Sequence, residues 1–187
     1  MKNIRIFSGL LIGAVSSVAL LSGPAAAQNP PTEIVKQAME KFAWLEGEWR
    51  GEGWSYNREG GRDTFQVHEI ATYQLDGVVL TFHGRGWSVD EDGAEVEGHK
   101  AFGVVSYDAY AQTYRFDAFV KEGYQSRSTP EVGENEYRWA VSAGPDAEMR
   151  YHARLEDDGA WVETGERCVE DKCTPMMQMR LEKVMGE

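Results

Sequence analysis

Few side chains in this sequence are of a type and spacing that does chemistry. Four histidines, His68, His83, His99 and His152, and two cysteines, Cys168 and Cys173, are the only imidazoles and thiols. A metal site would need spacings such as H-x-H, H-E-x-x-H or C-x-x-C. None occurs, and no third soft ligand accompanies the cysteines, so no metal is expected. The chain also lacks G-x-S-x-G, a phosphate loop and a dinucleotide fingerprint. No catalytic residue and no cofactor is therefore assigned. The group that stands out is a carboxylate, Glu69, which alternates with apolar residues in Phe65-Gln66-Val67-His68-Glu69-Ile70-Ala71.

The elements that position these residues follow from hydrophobic period. Residues 32–42 place Ile34, Val35, Ala38, Met39 and Phe42 at helical spacing behind Thr32 as an N-cap, which predicts one short amphipathic helix. From Glu48 the period changes to two. Nine strands are expected, near 48–56, 64–75, 78–87, 95–107, 113–121, 136–142, 147–155, 161–167 and 176–184, separated by short Gly- and Asp-rich turns. Asp76-Gly77 supplies the positive backbone angles of a two-residue hairpin turn. No helical crossover interrupts the strands, so a parallel sheet is excluded. The fold class is all-β: a single antiparallel up-and-down barrel of about eight to ten strands after a short N-terminal helix.

Alternation assigns faces. In the second strand Phe65, Val67, Glu69, Ala71, Tyr73 and Leu75 face the core, which makes Glu69 an inward acid. Tyr114, Phe116, Ala118 and Val120, and later Met149, Tyr151, Ala153 and Leu155, repeat the pattern. His68 and His152 fall on the less apolar face. Pairing across Asp76-Gly77 sets Glu69 opposite Gly84 and His83 opposite Ile70, so Glu69 and His83 lie on opposite faces and do not form a dyad without a bulge. Cys168 and Cys173 would face each other across a hairpin, about 5 Å apart, within reach of a disulfide.

Lys2 and Arg5, the apolar run from Ile6 to Leu21, and Ala25-Ala26-Ala27 have the order of a cleavable secretory signal over residues 1–27. The expected organisation is then an arm and helix over 28–47 and a β-barrel domain over 48–187, in a periplasmic or secreted location. Nothing after the leader is apolar for long enough to span a bilayer as a helix. Loss of Lys2 and Arg5 takes the formal net charge from −12 to −14. That charge argues against binding nucleic acid or an anionic membrane surface. The oligomeric state is not encoded in any of these features.

Gly47-Glu48-Trp49 resembles the Gly-x-Trp signature of the lipocalin and fatty-acid-binding (calycin) barrels. From Met39 to Val184 the chain also resembles the bacterial DUF1579 family, through Leu45 to Trp49, Leu75-Asp76-Gly77-Val78-Val79-Leu80, Gly103 to Asp108 and Met177 to Val184. The resemblance implies that Gly47 and Trp49 plug one end of the barrel, with Arg180 packed across the indole from the last strand. It implies an interior that takes a small apolar or amphipathic ligand. Glu69, Tyr73, Tyr114, Phe116 and Tyr151 are the candidate ligand-binding residues. The start also resembles the nitrobindin-like haem barrels, but those hold iron through a histidine near the carboxyl terminus. Here the last histidine is His152, and Met176, Met177 and Met179 occupy the final strand. The rival expectations are a haem-binding or enzymatic barrel using a cavity histidine, and a filled barrel acting as a cell-envelope interaction module.

Overall fold

The computed structural model describes residues 32–57, 59–170 and 172–185. The leader assigned to residues 1–27 lies outside the described residues. α1 (Thr32–Met39) runs directly into a 3-10 turn (Glu40–Leu45), so the helical stripe continues as Val35, Met39, Phe42 and Leu45, all buried. Eleven strands follow: β1 Gly47–Tyr56, β2 Arg62–Gln74, β3 Val79–Val89, β4 Glu95–Asp108, β5 Thr113–Val120, β6 Gln125–Ser128, β7 Glu131–Val132, β8 Glu136–Ser142, β9 Ala147–Leu155, β10 Trp161–Val169 and β11 Lys172–Lys183.

All pairings are antiparallel, in the order β6-β5-β4-β3-β2-β1-β11-β10-β9-β8-β7, and the sheet is strongly curled. β6 and β7 stand at the two ends of this order, yet only residues 129–130 separate them in sequence. The chain itself therefore draws the two edges together, and β6 and β7 share no ladder. The expected all-β meander and N-terminal helix are what the structure contains. The two extra strands are four and two residues long. Gln125-Ser126-Arg127-Ser128 carries no hydrophobic alternation, so its pairing with β5 has no signature in the sequence. At the β2–β3 turn the left-handed residues are Leu75, Asp76 and Gly77, and the last ladder pair is Gln74 with Val79. The connection is thus wider than a two-residue turn, and Leu75, expected to face the core, is exposed in it because the ladder ends at Gln74, while Glu69 opposite Gly84 and Ile70 opposite His83 are as expected.

α1 and its 3-10 extension close one end of the barrel. Phe42 packs edge-on against Tyr114 and Tyr137, with centroids 5.5 and 5.4 Å apart. Trp49, 1% exposed, donates its indole N–H to Leu45 O at 2.7 Å, which ties β1 to the plug. Gly47 sits at φ +125°, where L side chains are strained, and a β-carbon there would lie 2.8 Å from Lys183 Cε. The cation across Trp49 is Lys183, with Nζ 5.1 Å from the indole. Arg180 does not take that place. Met177, Met179 and Leu181 point inward, so residue 180 points out and pairs with Asp158, while Lys183 shares their parity and is the register partner of Trp49.

At the opposite end Cys168 and Cys173 are register partners in the β10–β11 hairpin and form a disulfide, with Cα atoms 4.0 Å apart. So short a loop gains about 2 kcal/mol in the chain-entropy model. Replacing both cysteines by serine is expected to cost no more than about 2 kcal/mol in urea unfolding and to leave the near-ultraviolet circular dichroism of the core intact; global unfolding of that variant at neutral pH contradicts a purely local staple.

Candidate functional site

Inside the sheet lies a cavity of about 680 Å³, within the range of small-molecule sites. Trp161 and Phe82 lie toward the plugged end, and Ser55, Asp63, Trp87, His99 and Ser126 lie at the open end among the hairpin loops. The space exists partly because large inward side chains lie over inward glycines. A β-carbon on Gly53 would sit 2.6 Å from the Phe65 ring, on Gly103 2.8 Å from Phe116, and on Gly165 2.9 Å from Tyr151. Each missing side chain lets a ring lie flat against the wall instead of filling the centre. One wall is a stack of Tyr137, Trp139 and Tyr151, nearly parallel with centroids 5.0 and 4.9 Å apart, and Phe116 packs edge-on to Trp139 at 5.4 Å.

Two acids face this space. Glu69 on β2 stands between Trp49 and Gly84 in register. Its carboxyl group occupies the place a Gly84 side chain would fill, since a β-carbon there would come within 2.9 Å of Glu69 Cδ. Glu163 on β10 stands between Ala153 and Met179. No ion pair or hydrogen bond with a described residue satisfies either carboxyl. Burial pushes Glu69 up to about 8, and burial with the nearby Glu69 pushes Glu163 up to about 8 as well. Both keep some accessible area, and the cavity is where they have it. Desolvation without a compensating cation is the cause in each case. Burial also raises the hydroxyls of Tyr137 and Tyr151, and Glu163 adds to both. Trp161 Nε1 is buried without a hydrogen-bond partner among the described residues.

Of the residues read from the sequence, Glu69, Phe116 and Tyr151 line the cavity. Tyr73 and Tyr114 do not. Their hydroxyls turn to the plug and donate to Met39 O at 2.5 Å and Ala38 O at 2.8 Å, satisfying carbonyls that the last turn of α1 leaves free. His68 and His152 lie on the outer face against Glu48 at 2.9 Å and Glu136 at 2.7 Å. His83 is exposed on that face, with its ring 4.8 Å from Phe102. His99 alone reaches the cavity, at its mouth, and desolvation holds it below the usual histidine range. Among the described residues, Glu166, Cys168 and Cys173 come close enough to suit a metal, but both sulfurs are committed to the disulfide. Glu163 was legible only from parity with Trp161. That signal is blurred because Val162, on the opposite face, is also buried.

The curled antiparallel sheet and its chamber define a barrel-like protein with an interior cavity open at one end. Among solved structures it is similar to the crystal structure of Rv2717c from M. tuberculosis, with a TM-score of 0.57 and 12% identity over 81% of this chain and 99% of that one. At that identity the likeness is one of fold. No protein-family model matches the chain, and no curated protein matches it.

This geometry makes stability depend on pH. Glu69 and Glu163 bind protons more tightly folded than unfolded, so their stabilising contribution is fully present below about pH 4.5 and is lost as pH rises through about 8. His99 acts in the opposite sense, but only below about pH 6.5. The urea midpoint is expected to fall between about pH 7 and pH 8.5, and E69Q/E163Q should flatten that slope; a rising wild-type midpoint over the same range contradicts the assignment. Removing the plug hydroxyls as Y73F or Y114F should cost about 1 kcal/mol each without changing uptake of an interior ligand, whereas a loss of uptake at unchanged stability would return these tyrosines to the binding wall.

Proposed function

We propose that the protein is an exported, lipocalin-like barrel that takes a small apolar or amphipathic molecule into its interior. The observation that carries the reading is the aromatic-lined cavity of about 680 Å³ with carboxyls facing into it. A barrel whose interior side chains met at the centre would leave no such volume, so the cavity weighs against a filled interaction module. The outward placement of His68, His83 and His152 weighs against a haem or enzyme site built on an interior histidine. The finer kinship to calycin barrels and DUF1579 rests on Gly47, Trp49 and the hairpin motifs, with Lys183 in the role expected of an arginine. Export, to the periplasm or beyond, rests on the leader pattern of residues 1–27 and accords with the Cys168–Cys173 disulfide.

A neutral hydrophobic dye, N-phenyl-1-naphthylamine, tests the reading with the mature protein. Its fluorescence should rise saturably near one dye per chain, and decanol should displace it. A118W, which projects an indole into the cavity from β5, should weaken binding at least tenfold while retaining native near-ultraviolet dichroism. A folded wild-type protein that leaves the dye dark and its own tryptophan emission unmoved would rule out interior binding.

A further inference from the structure

Several carboxylates elsewhere in the chain have a cation beside them. Glu48 has Arg50 and His68, Glu97 has Lys100, Lys121 and Arg85, and Glu136 has Arg138 and His152. All of these pairs are on the outer face or rim, where water would serve almost as well. The two acids for which a partner matters most, Glu69 and Glu163, have none among the described residues. They rise from separate strands, β2 and β10, with β1 and β11 between them, and the curl of the sheet turns both into one chamber.

The other titratable groups lining that chamber are Tyr137 and Tyr151 beside the acids, and Asp63, Arg85 and His99 toward the mouth. Arg85 is turned outward onto Glu95 at 2.8 Å and Glu97 at 3.8 Å. An anionic ligand would therefore meet two acids and no interior cation. A neutral ligand with one polar end needs a single partner, and a second carboxyl next to the first adds only desolvation and mutual repulsion. A cation uses both acids, and aromatic walls add to its binding. The strongly negative protein also draws cations toward the mouth.

We propose that the ligand is an organic cation with a protonated nitrogen on an apolar body, an alkyl- or arylammonium, held between Glu69 and Glu163 against the Tyr137–Trp139–Tyr151 wall. The inference rests on the interior-binding reading and specifies its ligand class. Binding is coupled to protons. The ammonium keeps its protons, and the carboxyl that becomes its counter-ion releases one to solvent. Apparent affinity therefore rises with pH up to the range in which the free carboxyls ionise, by up to about tenfold per pH unit for each proton released.

The test displaces N-phenyl-1-naphthylamine from the mature protein with decylamine, decanol and decanoate, each below its micelle-forming concentration, at pH 6.5, 7.5 and 8.5. A primary alkylamine, like lysine, stays protonated until about pH 10. Decylamine should bind at least tenfold tighter than decanol at pH 7.5, its advantage should grow from pH 6.5 to 8.5, and decanoate should be weakest. E69Q/E163Q, nearly isosteric and checked for native dichroism and for retained dye binding, should abolish the advantage of decylamine over decanol. Equal binding of decylamine and decanol, preference for decanoate, or an advantage that survives E69Q/E163Q overturns the ammonium inference while the interior-binding reading stands. Failure of all three compounds to displace bound dye, or absence of dye binding altogether, overturns both.

Discussion

Two carboxyl groups without counter-ions in an aromatic chamber are the constraint around which this molecule is arranged. Alternation along eleven strands commits every second side chain to one interior, and two of those positions hold Glu69 and Glu163. Each would cost several kcal/mol as an unpaired ion in a low-dielectric site. Desolvation in the chamber therefore favours the neutral form of each and lifts both to about 8. The chamber thereby holds a latent negative site that a ligand of suitable charge can call out. Gly84 belongs to the same arrangement, because only a residue without a side chain leaves room for the Glu69 carboxyl on that wall.

The other end of the barrel solves a different problem. A rolled sheet needs its end closed, and α1 with its 3-10 extension supplies the plug through Met39, Phe42 and Leu45. Two tyrosines fasten the plug by its free carbonyls, and the Trp49 indole fastens it to β1. Lys183 then lies over Trp49 from the last strand, so the first and last long strands meet at one aromatic residue. The two ends divide the labour: side-chain hydrogen bonds secure the closed end, while the acids of the chamber are left without them.

Much of the architecture was legible because period two is a strong signal over long strands. The face of β2, and with it the inward direction of Glu69, followed from Val67 and Ala71, and the pairing with Gly84 followed from the turn. The cysteine pair followed from hairpin reach. What was not legible has physical reasons. β6 is polar throughout and β7 has two residues, so neither carries alternation. Tyr73 and Tyr114 share the inward parity of true cavity residues, and only their position along the strand, level with the plug, removes them from the chamber. Arg180 was the expected partner of Trp49 because arginine is the usual residue in the calycin barrels that the Gly47-Glu48-Trp49 motif resembles, although parity with Met177, Met179 and Leu181 already favoured Lys183. Glu163 carries only its parity with Trp161, because β10 is buried on both faces near Trp161 and Val162, which blurs the contrast that reveals an inward acid.

The protonation of those two acids in the ligand-free protein decides whether the chamber works in this way. Carbon-detected NMR of the glutamate side-chain carboxyls, assigned by E69Q and E163Q, measures it directly. The structure predicts two carboxyl carbons titrating with apparent midpoints of about 8, as a coupled pair, while the paired acids Glu48, Glu97 and Glu136 titrate below the ordinary carboxylate range. If Glu69 and Glu163 instead titrate near the ordinary carboxylate value of 4.5, the chamber is open to water or internally paired, and it holds no latent negative site.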